Sequence, residues 1–406
     1  MPVASSLSRR LVTDTGNVSQ KVLRLIGPCI RRNFASDSSP PSGTISRGKY
    51  RFLDLLPLEQ QKWMKLRDLT SPNSKIAVVV IRANRNKKQQ NAPPKEPAIA
   101  LPALSKWFTS SSGWTDFSAT LQSHAECMVP YELLTPGAVV EELPQDSPLA
   151  MFLQWLAKQE QPPYQQLKDS LEYNINLGRL VPKADTEASK TRFIRFEAPL
   201  GLFLAALEFN KHQPSTAGRL NNLYVAQAGI EFLPQELQSD LPVPEVITSN
   251  GDGDLYGSSV WFGLQPTYTP LHRDPNDNIF VQLCGTKVFR IMAPLAGGRM
   301  FNKVCTDLGR ETGNSRLRGI EMMEEPERTA FFEAVWGKQA PVTSIHEVVL
   351  HPGDAMYLRT GFWHSVRAVG KEGSLNASVN WWFRWRDIKY PKAGEDGKNF
   401  KGQRHK

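Results

Sequence analysis

The chain has 406 residues, 40% of them hydrophobic, including ten Trp and nineteen Phe. That is enough for two or three average domains, or for one large β domain with helical additions. No apolar run reaches the roughly 18 residues of a membrane-spanning helix, and the formal charge of +9 sits at the ends: residues 1–34 contribute +5 and 387–406 contribute +3, leaving a near-neutral body that argues against a broad nucleic-acid-binding surface.

The first 34 residues have the composition of a mitochondrial targeting sequence. Arg9, Arg10, Lys21, Arg24, Arg31 and Arg32 are spread among Ser and aliphatic residues, and Asp14 is the only acid. Val18, Val22, Leu25 and Ile26 fall on one helical face, and Gly27-Pro28 ends that helix. Arg32-Asn33-Phe34 followed by Ala35-Ser36 resembles a processing site, which predicts a mitochondrial location; cytoplasmic or nuclear placement is the alternative if this is an ordinary tail. Residues 35–49, rich in Ser and Pro, read as a linker.

Residues 50–200 read as a mixed wrap. Lys75–Arg82 is predicted as a buried strand and Met128–Leu133 as a second. Leu101–Phe108, Leu149–Lys158 and Leu200–Phe209 have helical character, while 160–195 offers no recognisable feature. Arg82–Lys95 is locally basic and reads as a solvated loop. Further on, Phe232–Asp240 fits a short helix opened at Pro234. Cys29, Cys127, Cys284 and Cys305 lack metal-ligand spacing and read as free thiols.

The chemistry concentrates in 201–386. Asn278–Cys284 and Lys287–Met292 flank a Gly285-Thr286 break and read as a hairpin. Just before them, His272 and Asp274 are two apart, so on an extended backbone they point to one side while Arg273 faces away. An imidazole beside a carboxylate suits a divalent metal, and a second histidine would complete the face that holds non-haem Fe(II). Alone, the pair reads more readily as a surface His beside a solvated Asp. The second histidine is His364, behind the turn Pro352-Gly353-Asp354, the short strand Ala355–Leu358 and a bend at Gly361; Ala377–Phe383 follows as another strand. A rim histidine among Phe362, Trp363 and Trp381 is the competing reading. Between these halves lies an insertion, 295–345, with a predicted helix at Glu324–Trp336 and no assigned chemistry.

The pattern is similar to that of the JmjC/cupin-like family of Fe(II)- and 2-oxoglutarate-dependent oxygenases, and within it resembles the branch of the asparaginyl hydroxylase called factor inhibiting HIF. Its marks are Thr269, Pro270, His272, Asp274, Asn278, Gln282, Gly285 and Lys287, then Pro352-Gly353-Asp354, Trp363-His364 and Val379-Asn380-Trp381-Trp382, with Leu223–Gln227 upstream. The resemblance implies a mostly β fold with a double-stranded β-helix (jelly-roll, cupin) core. It implies that His272, Asp274 and His364 hold Fe(II), that Lys287 pairs with the far carboxylate of 2-oxoglutarate beside Tyr224 and Thr269, and that Asn278 and Asn380 lie near the metal-bound end of the co-substrate or the O2 site. The residues agree: a dicarboxylate in an apolar barrel requires a buried cation, and Lys287 stands in the apolar run Val288, Phe289, Ile291. Tyr224 also reads as a plain core tyrosine.

The implied function is a dioxygenase that couples decarboxylation of 2-oxoglutarate to hydroxylation of a C–H bond, expected on a protein side chain. A small metabolite, RNA, N-demethylation and a non-catalytic binding module are the alternatives. A homodimer is compatible with the chain, and the basic residues 387–406 read as a tail.

Overall fold

Two facing β-sheets form the core, and the strands of the later part of the chain enter them almost alternately, an order no series of simple hairpins produces. The computed structural model describes residues 43–385 apart from 48–49, 56–75, 85–93, 95, 112–113, 137–138, 178–191, 249–252 and 310–325. The predicted targeting segment, the basic tail and most of the basic loop after Arg82 lie outside the described residues.

In chain order the strands are β1 (Gly43–Arg47), β2 (Tyr50–Leu55), β3 (Ile76–Ile81), β4 (Phe108–Ser111), β5 (Trp114–Phe117), β6 (Met128–Thr135), β7 (Arg192–Pro199), β8 (Leu223–Gly229), β9 (Gly253–Leu264), β10 (Tyr268–Arg273), β11 (Asp277–Cys284), β12 (Thr286–Met292), β13 (His346–Leu350), β14 (Ala355–Leu358), β15 (Trp363–Val369) and β16 (Leu375–Trp385). The major sheet runs β1-β2-β3-β14-β11-β16-β9-β8-β6-β7, and the minor sheet β10-β15-β12-β13. From β10 onward the chain crosses repeatedly between them. This is the mostly β, helix-decorated jelly-roll core that the sequence led us to expect.

The predicted hairpin at Gly285-Thr286 is a correction. β11 pairs with β14 and β16, whereas β12 pairs with β13 and β15, so the chain leaves one sheet and enters the other there. Gly285 makes the corner at φ +70°, and a Cβ would meet the Asn376 amide at 2.6 Å. Gln282 ties the corner down by donating to the carbonyls of Cys284 and Gly285 and to Asn376 Oδ1. A local Gly-Thr break signals a turn, but not which sheet receives the next strand.

β11 is buried along its whole length because both of its faces are covered. Ile279, Val281 and Leu283 join Val379, Trp381 and Phe383 of β16 in a core shared with the helices Pro148–Ala157, Pro162–Leu177 and Gly201–Lys211. Phe280 points the other way, packing with Phe289 and Ile291 between the sheets. The short helices Ala103–Lys106, behind Pro102, and Gln235–Ser239, behind Pro234, lie where the sequence placed them. Two segments carry regular structure that the sequence did not signal. Gly43–Arg47, within the expected linker, is a strand paired antiparallel with β2. Residues 162–177 form a sixteen-residue helix whose only buried residues are Leu167, Leu171 and Ile175, a stripe too sparse to stand out.

The insertion contributes two helices, Pro294–Asp307 and Glu327–Trp336, which pack on the minor sheet. Phe301 contacts both Phe331 (ring centroids 5.2 Å) and Trp363 (4.9 Å). Trp336 donates its indole N–H to Ser365 and lies under Arg290 and Arg367. The insertion therefore braces β15 on both sides of His364. Gly297 makes this closeness possible, since a Cβ there would come within 2.5 Å of Trp363 Cβ, Cγ and Cδ1. Gly297→Ala should gain about 1 kcal/mol of helix propensity but lose about 1–3 kcal/mol to overpacking against atoms that cannot swing away. We expect a lower melting temperature in a thermal scan; an unchanged or higher one would refute the bracing.

Candidate metal centre

His272 and His364 are direct cross-strand partners on β10 and β15, far apart in sequence but opposite in register. Their rings lie 4.1 Å apart, centroid to centroid. Each Nδ1 lies against the carbonyl of the residue two earlier: Pro270 for His272 (2.9 Å) and Phe362 for His364 (3.3 Å). A carbonyl only accepts, so Nδ1 carries the proton and Nε2 keeps its lone pair for a metal. Asp274, just past the end of β10, turns its carboxylate to both: Oδ1 is 3.8 Å from His272 Nε2 and Oδ2 is 3.9 Å from His364 Nε2. All three offer a ligand atom within 4.8 Å of the others. Two imidazoles and one carboxylate, with the other side open, form a donor set for a divalent transition metal such as Fe(II). Arg273 faces away, over the Trp363 ring.

A chain of side-chain amides and indoles orients the carboxylate. Trp382 Nε1 (3.0 Å) and Asn278 Nδ2 (3.1 Å) both donate to Asp274 Oδ2. Asn380 Nδ2 donates to Asn278 Oδ1, and Trp261 Nε1 donates to Asn380 Oδ1. Asn278 and Asn380 do line the cavity beside the triad, and their hydrogen bonds give them a positioning role toward Asp274 that the sequence did not suggest. Trp382→Phe deletes one donor and keeps the ring. It should weaken Fe(II) binding about 10–100-fold, measured by anaerobic titration; an unchanged affinity would show that this bond does not position the ligand.

Lys287 enters the same cavity from β12, buried and aimed between the sheets. Its Nζ donates to Ser378 Oγ (2.7 Å) and sits 5.4 Å from the Phe280 centroid and 6.0 Å from that of Tyr224. Among the described residues no carboxylate pairs with it. Burial lowers its pKa from 10.5 to about 7. A buried ammonium left without an anion, in a cavity also lined by Tyr224 and Thr269 and shared with the three ligand candidates, fits a small dicarboxylate that reaches the metal at its other end.

All eight expected site residues thus line one cavity. Sequence reading missed Ser378, Trp382 and Trp261. The first two were legible in β16, where Ser378, Asn380 and Trp382 recur every second residue and the apolar Val379, Trp381 and Phe383 fill the other face. It also missed the mouth, where Arg195 pairs with Glu132 (2.7 Å) and Arg328 of the insertion lies over Tyr268. Nothing local marks those residues. The motif residue Asp354 has a structural task, accepting from the Ala83 and His351 amides and from Arg82.

Comparison with known proteins agrees with this geometry. The cupin-like domain family matches residues 61–387. Lysine-specific demethylase JMJ30 of Arabidopsis thaliana is 26% identical over 181 residues, 45% of this chain and 37% of that protein. JmjC domain-containing protein F of Dictyostelium discoideum is 28% identical over 188 residues, covering 43% and 38%. Lysine-specific demethylase 8 of Danio rerio is 27% identical over 161 residues, covering 39% and 36%. The chain thus spans well under half the length of each of these relatives. They support the wider family, and the asparaginyl-hydroxylase branch stays a resemblance. The chain belongs to the cupin-like domain family, and the JmjC-domain proteins, a family that uses Fe(II), 2-oxoglutarate and O2, are among its relatives.

Proposed function

We propose that this chain hydroxylates a C–H bond of a protein side chain. The observation that carries the oxygenase chemistry is the convergence of His272, Asp274 and His364 on one point, with the Lys287 ammonium in the same cavity. When bound, the metal and its co-substrate supply the oxidation: 2-oxoglutarate and O2 become succinate and CO2 as one C–H becomes C–OH. The chain's own residues fix the two imidazole tautomers, hold the Asp274 carboxylate, receive the far carboxylate and keep the cavity walls apolar through Phe280, Phe289 and Val366.

Hydroxylation is favoured over demethylation by the motif spacing, from Thr269 to Lys287 and from Pro352 to Trp382, which resembles that of a protein side-chain hydroxylase. The mouth carries Glu132, Arg195 and Arg328, with Glu132 accepting from both Nε and Nη2 of Arg195. The test is mass spectrometry of extract proteins incubated with the Fe(II)-loaded enzyme and 2-oxoglutarate. A gain of one oxygen on a side chain supports the reading; loss of methyl groups from lysine, without that gain, would replace it with demethylation.

A further inference from the structure

A second groove adjoins the metal cavity on the same face of the major sheet. The strands show this by register. On β6, Glu132 lines the cavity, and Pro130 and Met128, two and four residues away, line the groove. On β7 the corresponding pair is Arg195 and Glu197, and on β9 it is Trp261 and Ser259; Trp382 of β16 lines both. Residues two apart share a face, and each step covers about 7 Å, so cavity and groove form one trough. At its far end large apolar side chains stand in solvent: Phe232 is 80% exposed, Tyr256 69% and Met128 53%. The groove lining carries two carboxylates, Glu197 and Glu231, and neither Lys nor Arg. Among the described residues neither carboxylate has an ion-pair partner. The nearby Arg384 lies over the Tyr256 ring and donates to Asn276. The groove wall contains a β-bulge between Val225 and Ala228, with Gln227 at φ +60°, a conformation that non-glycine residues adopt rarely and chiefly at functional sites.

Resting on the protein-hydroxylase reading above, we infer that this groove docks an extended segment of the substrate polypeptide in which a basic residue stands beside a large apolar one, a few residues from the side chain that enters the metal cavity. The two carboxylates read the base, and Phe232, Tyr256 and Met128 read the apolar neighbour. The two strand steps beyond the cavity, roughly 14 Å, correspond to about four to six residues of extended chain, so a free amino acid or small metabolite would not reach both sites.

The test uses the full chain and fluorescein-labelled twelve-residue peptide libraries, random except for one Arg-Phe, Glu-Phe or Arg-Ser pair at a fixed end, with binding read by anisotropy. The Arg-Phe library is expected to bind about tenfold tighter than the Glu-Phe library, and more tightly than the Arg-Ser library. The Arg-Phe over Glu-Phe preference should disappear in Glu197→Gln/Glu231→Gln, while Phe232→Ser should weaken the Arg-Phe library and leave the Arg-Ser library unchanged. Each of these side chains is exposed, so melting temperature and 2-oxoglutarate affinity serve as controls on fold and cavity. Equal binding of the Arg-Phe and Glu-Phe libraries, or an unchanged preference in the double variant, would overturn the proposal. The libraries are ranked without co-substrate. Failure of the hydroxylase reading would therefore show separately, as no 2-oxoglutarate binding or turnover with the groove preference intact.

Discussion

Replacing Lys287 by methionine is expected to weaken 2-oxoglutarate binding at least about 100-fold, because removing one partner of a buried charge pair costs about 3–5 kcal/mol, while making the ligand-free protein more stable. Both effects arise from the same burial. The ammonium has a hydroxyl and two aromatic rings around it and, among the described residues, no anion, so the folded ligand-free protein holds its proton less tightly than the unfolded chain does. With a folded pKa of about 7 against 10.5, the unfolded state binds the extra proton between those values, and stability therefore rises with pH across that window. The upper bound on the cost below pH 7 is about 5 kcal/mol. In Lys287→Met the cost and the pH-dependent rise both vanish. The dicarboxylate requires the protonated form, so its Kd in the wild type should be flat below pH 7 and climb toward about tenfold per pH unit above it. Isothermal titration across pH 6–9, with thermal melts of both proteins, checks each part. A Kd that stays flat above pH 7, or a variant that binds normally, would remove Lys287 from the co-substrate site.

His272→Ala and His364→Ala should each reduce Fe(II) affinity by more than the roughly 100-fold upper end expected of a residue that only positions a ligand. The two histidines form opposite halves of one cross-strand pair, so neither can replace the other's Nε2. The fold should survive, since both rings border a cavity and the strands around them are held by the β12–β15 ladder and the insertion's aromatic contacts. Retained iron affinity in either variant, with a normal circular dichroism spectrum, would show that the residue is no ligand.

Much of this site was legible in sequence because strand periodicity does the sorting. His272 and Asp274 are two residues apart, and Lys287 is a charge on the apolar face of a strand that also carries Phe289 and Ile291 inward. Burial of the runs at β3 and β14 followed from their unbroken apolar character. What escaped was information carried by pairing. No local signal says that β11 and β12 belong to different sheets, or that the indoles of Trp261 and Trp382 end up in the hydrogen-bond chain to Asp274. Glu132, Arg195 and Arg328 come from β6, β7 and an insertion helix, and only the assembled sheet brings them to one mouth.

The most direct test of the central claim is X-ray absorption spectroscopy of the Fe(II)-loaded chain under anaerobic conditions. We predict scattering from two imidazoles in the wild type and from one in His364→Ala, with the remaining first-shell atoms light oxygen donors. A wild-type spectrum with fewer than two imidazoles, or one that the His364→Ala substitution leaves unchanged, would contradict the account.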